Sequence, residues 1–114
     1  MAECLFCRIA RGEIPARIVF QDDRAVAFED INPRAPTHLL IVPRKHIAGL
    51  DQAAAEDDAL LGYLQRVAAQ LAEQRGVHRS GYRTVLNVGP DAGQSVFHLH
   101  LHVLGGRGLA WPPG

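Results

Sequence analysis

The chain has 114 residues, enough for one domain and too few for two of ordinary size. Twelve basic and twelve acidic side chains give a formal charge of zero, which argues against a broad positive surface for nucleic acid or anionic membrane. Hydrophobic residues make up 47% of the chain, yet no apolar run approaches the roughly 20 residues of a membrane-spanning helix.

The start, Met-Ala-Glu-Cys-Leu-Phe-Cys, lacks the basic-then-apolar order of a secretory signal. A cytoplasmic protein with reduced thiols is therefore expected. Residues 4–10 fit a short helix that brings Cys4 and Cys7 to one side at i, i+3. Pro15 stops it. Residues 17–20 and 25–28 predict a hairpin joined through a polar turn at 21–24. Asp30-Ile31-Asn32-Pro33 reads as another turn. Residues 37–42 form a third strand, closed by Pro43 and apolar enough to be central.

A long helix is expected over about residues 56–75, where Leu60, Leu64, Val67, Ala68 and Leu71 recur at helical spacing. Glu56, Asp57 and Asp58 suit its first turn, and Gly76 suits the position just past its end. Residues 82–87 give a fourth strand and 89–94 a loop. Residues 97–104 give a fifth strand, ended by Gly105-Gly106. The tail, through Trp111-Pro112-Pro113-Gly114, cannot be helical. The whole is an α+β domain, an antiparallel sheet of about five strands with one long and one short helix. One domain spans residues 1–114, with a tail over 105–114.

His98, His100 and His102 alternate with Leu99, Leu101 and Val103. An extended strand would project all three imidazoles from one face, about 6.6 Å apart. Adjacent rings on a buried face each need a polar partner. They are coincidental structural histidines, a metal-binding face, or a division of labour in which one ring binds metal and the others meet substrate. Cys4-x-x-Cys7 favours the last, being half of a tetrahedral zinc site. A redox reading would want a strand before the pair, and none precedes it. His46 and His98 are the candidates for the other two ligands, which leaves His100 and His102 free. His38, inside a strand, reads as a structural residue bonding the backbone, and His78 as solvated.

Gly89 and Gly93 allow backbone N–H groups to converge on a phosphate, and Gln94 and Ser95 add side-chain donors. An ordinary hairpin loop has similar composition; its running directly into the histidines favours anion binding. A neutral His100 is then a competent nucleophile toward phosphorus. His102, Asn87, Gln94 and Ser95 would stabilise charge on the phosphoryl oxygens.

These residues resemble the histidine-triad family, whose motif His-φ-His-φ-His-φ-φ (φ apolar) stands here as His98-Leu-His100-Leu-His102-Val-Leu. Asp30-Ile31-Asn-Pro-Arg-Ala-Pro-Thr-His38, Ile41-Val-Pro-Arg-Lys-His46-Ile, Gly93-Gln-Ser-Val-Phe-His98 and Trp111-Pro-Pro-Gly114 resemble its Hint branch, the purine nucleoside phosphoramidate hydrolases. The likeness covers nearly the whole chain. The Trp-Pro-Pro-Gly ending separates it from the fragile-histidine-triad branch, which cleaves dinucleoside polyphosphates.

The resemblance implies that His100 attacks the α-phosphorus and forms a nucleotidyl-imidazole, its other ring nitrogen held by a backbone carbonyl. It implies hydrolysis of adenosine 5′-phosphoramidate, extending to aminoacyl adenylates, with release of AMP. His102, Asn87, Gly93, Gln94, Ser95 and Val96 would surround the phosphate, and Asp30 would accept the ribose hydroxyls. Phe6, Ile9, Phe28, Ile31 and Leu40 would wall the base pocket, although each by composition is ordinary core. Cys4 and Cys7 depart from the best-known animal Hint proteins and match many bacterial members. There the pair joins histidines equivalent to His46 and His98 around a structural zinc. The family also implies a homodimer through the main helix and the following strand, with Trp111 reaching the partner's site. Leu61 and Tyr63 on the helix flank lend this weak support. Alternatives are a dinucleoside polyphosphate hydrolase or nucleotidyl transferase, a nucleotide-binding regulatory module, and a zinc-binding interaction module.

Overall fold

The computed structural model describes residues 4–114. Met1, Ala2 and Glu3, part of the start read above for a targeting signal, lie outside the described residues.

Five strands form one antiparallel sheet: β1 (Ile18–Gln21), β2 (Ala25–Glu29), β3 (Thr37–Pro43), β4 (Tyr82–Val85) and β5 (Leu101–Gly105), in spatial order β1-β2-β3-β5-β4. The hairpin of β1 and β2 turns where Asp22 Oδ1 accepts the N–H groups of Arg24 and Ala25, both at 2.8 Å. Buried on every residue, β3 is the central strand, as its continuous apolar run requires.

Alternation along the strands sorts side chains between two layers. Ala25, Ala27, Leu39, Ile41, Leu101 and Val103 face α2 (Asp58–Gln74), which answers with Leu64, Val67, Ala68 and Leu71. Val26, Phe28, Leu40 and Val42 face α1 (Leu5–Ala10), which answers with Phe6, Ile9 and Ala10. The helix α2 begins two residues later than the acidic cluster suggests, because residues 55–57 form a 3-10 turn. There Asp57 is buried, accepting the Ala54 N–H and the Lys45 ammonium. The helix ends with Gly76 at φ 75°, a conformation that favours glycine. Among the described residues, no helix is long and apolar enough to cross a membrane.

Two expectations need correction. The fifth strand starts at Leu101, not at residue 97. Residues 97–100 leave the ladder because Leu99 N–H donates to Ile47 O at 2.7 Å and the His98 carbonyl is taken by the His100 ring. Phe97 is consequently 61% exposed. Tyr63 is not an open apolar flank: its hydroxyl donates to Asp22 Oδ2, and the Arg24 guanidinium lies 3.6 Å over its ring.

Candidate functional site

The α1 face of the sheet carries a cavity of about 950 Å³. Phe6, Ile9, Phe28 and Leu40 form its buried apolar wall, with Phe6 edge-on to Phe28 at 5.4 Å between ring centroids. Asp30, Asn87, Gly93, Ser95, Val96, His100 and His102 also line it. Phosphate-side and base-side candidates thus share one space. Ile31 lies at the rim, 92% exposed.

Gln94 and Trp111 do not line this cavity. Gln94 is buried; its Oε1 accepts the Gly89 N–H at 3.0 Å and its Nε2 donates to Ala48 O at 2.8 Å and Val96 O at 3.2 Å. It braces the loop from behind. The loop needs that brace because Gly89 and Gly93 hold φ near 80° around a 3-10 turn at Pro90–Ala92. The Gly93 and Gln94 amides close on Pro90 O and Gly89 O, so neither converges on an anion as expected from composition. Trp111 is 82% exposed, in a tail tethered where Arg83 donates to Leu109 O and Ala110 O.

The histidines divide. His100 Nδ1–H donates to His98 O at 2.8 Å, which leaves the Nε2 lone pair as that ring's free valence. Phe6 packs edge-on against this ring at 5.0 Å. His102, 5.1 Å from His100 between centroids, is pushed down to a pKa of about 4, chiefly by burial, then by the neighbouring His100 and His38 rings. It is neutral at physiological pH. Asp30 Oδ1 caps the turn by accepting the Asn32 N–H at 2.8 Å, and its Oδ2 lies 3.4 Å from His38 Nε2.

His98 turns away from the cavity into a cluster with Cys4, Cys7 and His46. The two sulfur atoms lie 3.3 and 3.4 Å from His98 Nδ1, Cys7 Sγ is 3.3 Å from His46 Nδ1, and the two Nδ1 atoms are 3.2 Å apart. Zinc bonds of about 2.3 Å to sulfur and 2.0–2.1 Å to nitrogen, at tetrahedral angles, set nitrogen–nitrogen and sulfur–nitrogen pairs roughly 3.3–3.6 Å apart. The four groups fit such an ion. His98 Nε2–H donates to Pro43 O at 2.7 Å, which frees Nδ1 for the metal and fixes the ring plane. Burial lowers the His98 pKa, leaving the ring neutral as a ligand must be. The short helix α1 delivers both thiols, Cys4 capping it by accepting the Cys7 N–H at 3.4 Å.

His38 is the residue that the strand reading undervalued. It bonds the backbone as expected, accepting the Arg34 N–H at 2.9 Å, and it also sits 2.9 Å from His102 Nδ1. The available signal was antiparallel pairing: Leu40 lies opposite His102, so His38, two residues back on the same face, meets that ring diagonally. His78 is exposed, as expected.

Comparison with known proteins agrees with this geometry. The HIT domain family model matches residues 11–109. An uncharacterized HIT-like protein of Synechococcus elongatus is 53% identical over 112 residues, covering 98% of this chain and 97% of its own. A 14 kDa zinc-binding protein of Zea mays is 47% identical, covering 96% of this chain and 87% of its own. The crystal structure of a HIT family hydrolase from Legionella pneumophila superposes with a TM-score of 0.96 at 53% identity, covering 98% of this chain and all of that one. A histidine triad protein from Clostridium difficile superposes at 0.92 with 41% identity, covering 96% and 97%. With its two histidines in the cavity, its third in the cysteine cluster and this sheet order, the chain belongs to the HIT domain family.

Proposed function

We propose that this chain, one domain over residues 1–114, hydrolyses purine nucleoside 5′-phosphoramidates through a covalent nucleotidyl-histidine on His100. The observation that carries the reading is the His100 Nδ1–H bond to His98 O at 2.8 Å, which commits the other ring nitrogen to act as a lone-pair donor in the cavity. Nε2 attacks the α-phosphorus. The P–N bond breaks, and its electron pair leaves with the amine, which takes up a proton. Water then attacks phosphorus, the bond to His100 breaks, and the nucleoside monophosphate departs. His102, Asn87 and Ser95 are the groups available to the phosphoryl oxygens. Asp30 supplies carboxylate oxygens for the ribose, and the apolar wall of Phe6, Ile9, Phe28 and Leu40 receives the purine. Gln94 acts by holding the loop, a change from direct phosphate contact. Aminoacyl adenylates present the same α-phosphorus and fall within the proposed substrate class.

Zinc in the Cys4, Cys7, His46 and His98 cluster is structural in this proposal. Four protein ligands leave no open position for water or substrate, so the ion supplies folding energy and ligand orientation. A cytoplasmic setting suits two thiols gathered as metal ligands. We further propose a homodimer. Among the described residues β4 pairs with β5 alone, so the other edge of β4 is open for a partner beside α2, and the exposed Trp111 tail starts next to it.

The test is release of AMP from adenosine 5′-phosphoramidate by the wild type and His100→Asn. The wild type turns over, and the variant loses at least about 10³-fold in kcat, the scale of removing a nucleophile. It still binds AMP. No turnover by the folded, zinc-loaded wild type would refute the proposal and direct attention to dinucleoside polyphosphates.

A further inference from the structure

A backbone amide can only donate. Arg34 N–H lies 2.9 Å from His38 Nδ1, so that nitrogen carries a lone pair, and in a neutral ring the proton sits on Nε2. Burial lowers the His38 pKa, with Asp30 opposing and Arg34 assisting, which keeps the ring neutral near pH 7. His38 Nε2 is in turn 2.9 Å from His102 Nδ1 and 3.4 Å from Asp30 Oδ2. At 2.9 Å between two ring nitrogens, one must donate and the other accept. His38 holds its proton there, so His102 Nδ1 accepts, and the single proton of a neutral His102 is left on Nε2.

Asp30, His38 and His102 also bring three ligand-type atoms together. A cation on His38 Nε2 would force that ring's proton onto Nδ1, directly against the Arg34 N–H. The hydrogen-bonded arrangement satisfies both His38 ring nitrogens; the metal-bound one does not.

His100 is fixed in the opposite sense, with its proton on Nδ1 and its lone pair on Nε2. Two rings whose centroids are 5.1 Å apart, both lining the cavity, therefore offer unlike atoms. One has a lone pair to give, and the other has a proton.

We propose that His38 is a positioning residue that transmits the polarity of the Arg34 amide to His102, so that His102 meets a phosphoryl oxygen as a neutral Nε2–H donor. Without His38, the His102 proton is free to move to Nδ1, and a lone pair then faces the negative oxygens of the nucleotide. The consequence for catalysis rests on the phosphoramidate reading above; the tautomers belong to the unliganded fold and are measured without substrate.

Two-bond ¹H–¹⁵N correlation spectra of the full-length, zinc-loaded protein at about pH 7 read both rings directly. The expected result is His102 protonated at Nε2 and His100 at Nδ1. His38→Leu removes the donor. It is expected to give a mixed-tautomer His102 and to lower kcat about ten- to a hundredfold, with AMP affinity changed less. His38→Gln carries an NH₂ close to the position of Nε2 and restores the Nε2–H form of His102 and most of kcat. Wild-type His102 protonated at Nδ1 would overturn the proposal without any variant. An unchanged His102 tautomer and unchanged kcat in folded His38→Leu would overturn it as well. The expected tautomers in a wild type that releases no AMP would support the relay and refute the reaction.

Discussion

His102 makes the stability of this protein sensitive to mild acid, in a window fixed by its two pKa values. In the unfolded chain the ring titrates near 6.5; in the fold, burial and the neighbouring His100 and His38 rings hold it down to about 4. Above about pH 6.5 both states are neutral and the ring contributes nothing to the balance. As the pH falls below that, the unfolded chain takes up a proton that the folded chain refuses, so stability drops until about pH 4 and then levels off. Between about pH 7.5 and pH 5 roughly one and a half pH units of that window are crossed, or about 2 kcal/mol at 1.36 kcal/mol per unit. The ring opens onto the cavity, and solvent screening reduces this to about 1–1.5 kcal/mol. Urea unfolding of the wild type and His102→Asn at the two pH values isolates the ring, because the other acid-sensitive groups are common to both proteins. The wild type should lose about 1–1.5 kcal/mol more than the variant on going to the lower pH. Equal losses would show that the fold does not penalise the charged ring and would refute the reasoning.

Purified protein should carry about one zinc per chain by mass spectrometry, and Cys7→Ser should lower both that content and the thermal midpoint. Gln94→Leu strips the partners from Gly89 N–H, Ala48 O and Val96 O. It should cost about 2–3 kcal/mol in chemical denaturation and raise KM, because the loop at Gly93 loses its brace. Gly105→Ala places a Cβ 2.8 Å from the Val77 Cβ, a contact that must be relieved by movement of strand or turn. A loss of about 1–3 kcal/mol is expected; Val77→Ala keeps the clashing Cβ, so the double variant should recover little of it, which thermal melts of the single and double variants would check.

The repeating apolar residues of α2 and the unbroken run of β3 were legible because one periodicity served one purpose along each segment. The HxHxH segment was less so, because two demands compete there. Strand alternation would aim all three rings together, but the cysteine pair captures His98 and takes residues 97–100 out of the ladder. The wall residues Phe6 and Ile9 carry no local mark that separates a pocket from a core; only the docking of α1 on the sheet makes that distinction. Gln94 sits beside the histidines in sequence, as a phosphate ligand would, while its side chain folds back to the loop's own backbone. His38 was hidden for a different reason: its partner is 64 residues away, and no spacing rule within a strand reaches that far.

The helix α1 has six residues, too short to hold its shape in water without help. It nonetheless supplies Phe6 and Ile9 to one flank of the cavity, and its two thiols meet His46 and His98 on the far side. With the proposed zinc bound, the four-residue knot would work like a clasp on a hinged panel. Closed, it would hold the panel against the sheet and steady the His98 carbonyl that the His100 ring meets. Opened by oxidation or chelation, it would slacken both the apolar wall of the cavity and the hold on the His100 ring at once. The chemistry of two sulfur atoms outside the cavity is thereby tied to the shape of the space inside it.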